Sequence, residues 1–280
     1  MELKTDHRTV KLIQGDREQS VWRKDQPDYL VHSYTQLVAL AMLTWNGYAM
    51  RRRGRALIIG LGGGILCRFL RKHFPNVAIE VVEPDPKVIE IARRDFDLDL
   101  RVTVHCTDGR SHMSTRTGKY DIILLDAFDS TYVPADMMTV EFLQQVKKRL
   151  NSNGILVSNT WVLRDITVHE DATYTSVFGP IWDFRRRPNT DGNRIILVGD
   201  APDAKAEGIM EMLYERARFI DQSEGNASRP PVPGMRRTMT YATMVEKLHV
   251  MPVYSPVGGK ILTDANIHAI RSKASFENEE

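Results

Sequence analysis

The stretch Arg55 to His73 reads RALIIGLGGGILCRFLRKH. Its opening, Ala56 to Ile59, is an unbroken apolar run of strand length. Its close, Ile65 to His73, carries apolar residues at spacings of three and four, as a helix with one buried face does. Between them, Gly60-Leu61-Gly62-Gly63-Gly64 lets the backbone pass close to a ligand where the free amides at a helix start point outward. Strand, glycine-rich turn and helix in that order form the first unit of a parallel sheet with helices on its faces. A group bound at the turn would be anionic or nucleoside-like; a tight strand-to-helix connection without a ligand is the plainer alternative. The dinucleotide fingerprint wants glycine at the sixth position, where this chain has Ile65, so the Gly-x-Gly-x-Gly form fits S-adenosylmethionine better.

The same alternation continues along the chain. Strands are expected at Ala78 to Val82, Val102 to His105, Asp121 to Leu125, Ile155 to Ser158 and Ile195 to Val198. Helices are expected at Pro86 to Asp95 and Val140 to Leu150, the latter stopped by Asn153-Gly154. Met1 to Gln26 predicts a small β-hairpin region leading into a helix from Tyr29 to Met50. Beyond the core, Ala204 to Ile220 and Tyr241 to Val250 have helical spacing. Asp221 to Arg237 is rich in Ser, Gly, Asn and Pro, the composition of a loop or lid, and Glu277 to Glu280 reads as a frayed acidic tail. The expected division is 1–50, an N-terminal hairpin and helix; 51–200, a nucleoside-binding domain; and 201–280, a helical and loop extension.

Across 280 residues, 38 Lys and Arg face 36 Asp and Glu, a formal charge of +2 that calls for neither nucleic acid nor a membrane surface as partner. The longest largely apolar run, Leu37 to Trp45, falls far short of the roughly 20 residues that span a bilayer. Met1 to Val10 lacks the apolar stretch of a signal peptide, and the expected location is cytoplasmic. Two cysteines, Cys67 and Cys106, supply neither a disulfide framework nor a thiolate metal site, and both are expected to be buried. No metal is expected. The basic runs Arg51 to Arg53 and Arg185 to Arg187 read as solvated faces before they read as contacts to an acidic partner.

Three acids fall just past strand ends, on the edge where ligands bind in open α/β sheets. Glu83 is placed to accept from both hydroxyls of a ribose. Asp108, followed by Gly109, is placed to accept from an exocyclic adenine amine. Asp126 lies where the reacting end of the donor would lie. Each has a bland alternative as a helix cap or surface carboxylate; together with the glycine turn they point to a nucleoside site.

The order of these motifs resembles the spermidine synthases and their aminopropyltransferase relatives. GLGGGILCRFLRKH from Gly60 to His73 is similar, without gaps, to the family pattern GGGDGGxLRExxKH, and VVEPD from Val81 to VEID. YDIILLDAFDS from Tyr120 is similar to YDVIIxDxxDP, EFLQQVKKRLNSNGILVSN from Glu141 to FxxxxxxxLxPGGxxxxQ, and LTDAN from Leu262 to an LTDD segment. The resemblance implies a doubly wound, mostly parallel, seven-stranded Rossmann-like sheet of the class I methyltransferase type. The donor it implies is decarboxylated S-adenosylmethionine, held by Gly60, Gly62, Gly63, Gly64, Glu83, Asp108 and Gly109, with Gln19 touching it. Asp126 would be the base for the attacking amine and Asp129 would hold the polyamine; Tyr34 would stand for the tyrosine of the family's YHE. A homodimer is also implied.

Three departures stand out. Gln36 replaces the glutamate of YHE, Ser130 replaces the proline after the second aspartate, and Gly63 replaces the aspartate of GGGDGG. In the family that aspartate faces the donor's amino group and repels the carboxylate of ordinary S-adenosylmethionine. Its loss leaves open methyl transfer from S-adenosylmethionine, or nucleoside binding without turnover. Asp126 and Asp129 have the further alternative of capping the turn from Ser130 to Pro134. Of the aromatic residues Tyr132, Trp161 and Trp182, Trp161 is the one expected to line a pocket, because it directly follows a strand end.

Overall fold

The computed structural model describes residues 1–129, 132–187, 192–199, 206–224, 240–254, 256 and 258–272. Ser130, most of the loop expected between Asp221 and Arg237, and the tail from Glu277 lie outside them.

Three strands open the chain: β1 (Glu2–Thr5), β2 (Thr9–Gln14) and β3 (Arg17–Arg23), an antiparallel sheet in that order. It has one strand more than a hairpin, and its inner face buries Val10, Leu12 and Ser20. The expected helix from Tyr29 to Met50 is two, α1 (Ser33–Met42) and α2 (Asn46–Ala49). The break follows from tightened bonding, in which the amides of Leu43, Thr44 and Trp45 donate to the carbonyls three residues back, and the Thr44 hydroxyl also takes Ala41 O at 2.6 Å.

The core alternates as the sequence predicts: β4 (Gly54–Ile59), α3 (Ile65–His73), β5 (Val77–Val82), α4 (Pro86–Arg94), β6 (Thr103–His105), α5 (Gly109–Thr115), β7 (Tyr120–Leu125), α6 (Val140–Arg149) and β8 (Leu150–Val162). Local chemistry sets the boundaries. Gly64 takes the left-handed conformation that starts α3, whose Ile65, Leu66, Phe69 and Leu70 are buried while Arg71, Lys72 and His73 face the negative end of its dipole. Asp85 caps α4 ahead of Pro86, and Thr139 caps α6.

After β8 come α7 (Arg164–Phe178), β9 (Ile181–Arg185), β10 (Gly192–Val198), α8 (Ala206–Glu224), α9 (Tyr241–Val245), β11 (His249–Val253) and α10 (Ile267–Arg271). The central sheet runs β11-β9-β10-β8-β7-β4-β5-β6. Pairing is parallel from β8 through β6 and antiparallel at β10, β9 and β11. Among the described residues the sheet therefore has eight strands where seven are expected, and Tyr241 to Val250, expected as one helix, is a five-residue helix leading into strand β11. That strand lies at the sheet edge, the place in a sheet where a proline such as Pro252 is tolerated. The segment from 201 thus contributes a strand as well as helices.

Cys67 is buried, and burial pushes its thiol up to about 12, but Cys106 is exposed, contrary to expectation. Among the described residues, no helix is long and apolar enough to cross a membrane.

Candidate active site

The chain leaves β4 toward β5 and β6 on one side and returns to β7 and β8 on the other. The sheet therefore has its topological switch between β4 and β7, where a ligand crevice opens in folds of this kind. A cleft of about 730 Å³ lies there. Gly60 directly follows β4 and Asp126 directly follows β7, and the backbone is so close that a Cβ on Gly60 would stand 2.3 Å from Asp126 O; the φ of 102° at Gly60 excludes other residues independently. Two ladder bonds fix this crossing: Gly60 N–H donates to Val82 O, and Asp126 N–H to Ile59 O, both at 2.9 Å.

Of the residues expected to bind donor or acceptor, Gln19, Tyr34, Gly60, Gly62, Glu83, Asp108, Gly109, Asp126 and Asp129 all line this one cleft. Gly63 and Gly64 do not. A Cβ on Gly63 would meet the Phe96 ring at 2.6 Å, and one on Gly64 would meet Leu98 at 2.8 Å, so both face the packing beneath the turn. Phe96 occupies the space that a side chain at position 63 of this chain would enter. Gln36 is buried in α1, its amide spent on Leu30 O at 2.7 Å.

The turn is held from outside the core by Ser20 on β3, whose Oγ accepts from Gly63 N–H at 2.8 Å and would stand 2.7 Å from a Cβ on Gly62. Opposite, Glu83 is buried and accepts from Leu61 N–H at 3.1 Å and Asp85 N–H at 3.0 Å. Burial raises its carboxyl above the ordinary range and these two amides partly offset that. Each oxygen keeps lone-pair capacity for a hydroxyl donor. Asp108 caps α5 by accepting from Ser111 N–H at 2.8 Å, which holds its carboxyl below the usual value. Capping and lining the cleft coexist in this residue.

Asp126 has a different setting. Asn159 Nδ2 donates to its Oδ1 at 2.8 Å, and Asn193 Nδ2 donates in turn to Asn159 Oδ1 at 3.2 Å. Burial pushes the Asp126 carboxyl up to about 7, against the opposing pull of Asn159. Burial also holds the Tyr34 phenol well above its ordinary value, and the neighbouring Asp126 charge adds to this. The Tyr34 hydroxyl donates to Gln19 O at 3.5 Å.

Asp129 is exposed. Its Oδ1 accepts from Tyr132 N–H at 2.8 Å, so the turn-capping alternative holds for it, and its Oδ2 lies 3.5 Å from the Arg271 guanidinium. Trp161 lines the cleft with the Arg17 guanidinium 4.9 Å above its ring. Tyr132 and Trp182 are both buried in the cores instead. LTDAN meets the site through Asp264, which pairs with Arg110 of the cleft wall. Among the described residues, no group of His, Cys, Asp and Glu could hold a metal ion.

Sequence reasoning missed Ser20, Phe96, Asn159 and Arg17. Asn159 had a signal, since it is the first amide side chain past the apolar run of β8, beside the strand that ends in Asp126. Ser20 had none, because its partner is 43 residues away in sequence.

Comparison with known proteins follows the same lines. The model of the spermine/spermidine synthase domain matches residues 35–178. A polyamine aminopropyltransferase of Vibrio vulnificus is 40% identical over 189 residues, covering 65% of this chain and 61% of that protein, so the chain spans about three fifths of that relative. The crystal structure of a probable spermidine synthase from Corynebacterium glutamicum superposes with a TM-score of 0.69 at 20% identity, covering 85% of this chain and 95% of that one. The human methyltransferase-like protein 13 in complex with SAH gives a TM-score of 0.58 at 25% identity, covering 73% and 95%. On the match over residues 35–178, the chain belongs to the spermine/spermidine synthase family.

Proposed function

We propose that the protein is an aminopropyltransferase that moves the aminopropyl group of decarboxylated S-adenosylmethionine onto a polyamine. The observation that carries this reading is Asp126, a carboxyl with a value of about 7 at the switch point of the sheet, hydrogen-bonded by Asn159. A free alkylamine, like a lysine side chain, has a pKa of about 10.4 and is almost wholly protonated at neutral pH. A carboxylate titrating near neutrality both holds the ammonium and accepts its proton, whereas an ordinary aspartate is a much weaker base.

The cleft fits the donor. Glu83 keeps acceptor capacity for ribose hydroxyls, Asp108 for an adenine amine, and the side-chain-free surfaces of Gly60 and Gly62 allow close approach. The donor supplies an electrophilic carbon next to its sulfonium. The acceptor nitrogen, deprotonated by Asp126, forms the new N–C bond as the C–S bond breaks with its electron pair going to sulfur. Asp129 holds a second cationic end of the acceptor, and Tyr34 stands beside the base. Alignment of the two reactants supplies most of the rate.

A second reading has one specific observation in its favour. With Gly63 turned toward Phe96, no carboxylate projects from that position to repel the carboxylate of ordinary S-adenosylmethionine, which suits methyl transfer. Calorimetry with both donors separates the two: tighter binding of the decarboxylated donor supports aminopropyl transfer, and tighter binding of the carboxylated one refutes it.

A further inference from the structure

Behind the acceptor side of the cleft lies a buried ionic cluster that the proposed reaction does not use. Arg194 on β10 is fully buried; its Nε donates to Asp183 on β9 at 2.8 Å and its Nη2 pairs with Asp171 on α7. Arg185 Nη2 pairs with the same Asp183 oxygen at 2.6 Å. Two guanidinium groups and two carboxylates balance. Glu170 on α7 is a third, unbalanced carboxyl, 1% exposed, with Arg194 Nη1 3.8 Å away. That nitrogen is buried without a hydrogen-bond partner.

The partner that Glu170 does engage is Tyr132. The buried Tyr132 hydroxyl lies 3.0 Å from Glu170 Oε2, 2.8 Å from Trp161 O and 3.3 Å from Trp161 N. Its backbone exchanges bonds with the other acceptor-side residue: Asp129 N–H donates to Tyr132 O and Tyr132 N–H to Asp129 Oδ1, both at 2.8 Å. Tyr132 thus ties together Trp161 and Asp129, which line the cleft, and Glu170, which does not.

Resting on the aminopropyl reading, we propose that Glu170 is a positioning residue for the acceptor side of the cleft, acting through Tyr132 on Trp161 and Asp129. The phenol has one proton to give. With Glu170 protonated, the carboxyl donates to the phenol oxygen and the phenol donates to Trp161 O, so the phenol and the carbonyl are both served while Arg194 Nη1 stays without a partner. With Glu170 ionised, the phenol proton turns to the carboxylate, Trp161 O is released, and Arg194 Nη1 gains the partner it lacks. Burial and the neighbouring Asp171 and Asp183 charges hold Glu170 up at about 8, against Arg194 and Tyr132; Tyr174 on α7 also faces it, itself tied to Ser158. The protonated, acceptor-ready arrangement therefore prevails at neutral pH and is lost as pH rises through about 8.

The test compares wild type, Glu170→Gln and Tyr132→Phe at pH 7 and pH 9 with saturating donor. The acceptor KM of the wild type should rise about tenfold more than that of Glu170→Gln, because one unit above its pKa about a tenth of the carboxyl stays protonated, while kcat moves little. Tyr132→Phe should raise KM at both pH values and erase the pH dependence. In protein carrying fluorotryptophan, the ¹⁹F resonance assigned by Trp161→Phe should titrate near pH 8 in wild type and stay fixed in Glu170→Gln. Equal KM profiles for wild type and Glu170→Gln, or a Trp161 resonance that does not titrate, overturn the proposal. A titrating resonance without turnover of any amine supports the Glu170 to Trp161 link and refutes the aminopropyl reading instead.

Discussion

Replacing Asp126 by Asn should trade activity for stability, with a pH dependence that the structure fixes. In the unliganded protein the carboxyl titrates at about 7 against an ordinary 3.8, a gap of about three units. At 1.36 kcal/mol per unit, the ceiling on the cost of ionising it in the folded state is about 4 kcal/mol. The sign follows from a raised pKa. The full contribution is present below pH 4, where Asp is protonated folded or unfolded; it falls as pH rises toward 7 and levels off above. Asparagine keeps the Asn159 bond through its carbonyl oxygen and cannot ionise. The stability difference between Asp126→Asn and wild type, from urea unfolding, should therefore grow by about 2 to 3 kcal/mol in favour of the variant between pH 5 and pH 8. Turnover should fall by about 10² to 10⁴, with donor affinity nearly intact. A stability difference that does not change with pH, or turnover close to wild type, would refute the assignment of the half-buried Asp126 as the base.

Other substitutions probe the donor side. Gly60→Ala places a methyl group against Asp126 O at a φ that disfavours side chains; it should lower stability by about 3 kcal/mol or more and abolish donor binding, and an unchanged melting temperature would contradict the close crossing. Ser20→Ala strands the Gly63 N–H and should cost about 1–3 kcal/mol and weaken donor binding measured by calorimetry, while Ser20→Thr should lose less. Gly63→Asp should fold poorly because of Phe96; combined with Phe96→Ala it should recover part of the lost stability, and additive losses in the double variant would argue against the steric account.

Much of this was legible in the chain because it depends on local periodicity. The run Ala56 to Ile59, the glycine turn and the helix after it need no distant partner to be recognised, and strands so placed bring Glu83, Asp108 and Asp126 to one edge by topology alone. What stayed hidden depends on partners remote in sequence. β9 reads IWDFR, and its Asp183 and Arg185 break the apolar signal; Asp183 is buried there because Arg194 and Arg185 neutralise it. β11 contains Pro252 and pairs on one side only, so neither propensity nor alternation marks it as a strand. At Gly63 the local sequence shows only a missing side chain; that a Cβ there would meet the Phe96 ring depends on another segment. Asp129 met both of its readings at once, as turn cap and as cleft residue.

The most direct test of the central claim is the mass of the product formed when the protein is incubated with decarboxylated S-adenosylmethionine and putrescine or spermidine, with Asp126→Asn as the control. The amine should gain one aminopropyl group in the wild type and remain unchanged in the variant. An unmodified amine in the wild type, or an amine that gains a methyl group in place of the aminopropyl group, would contradict the account.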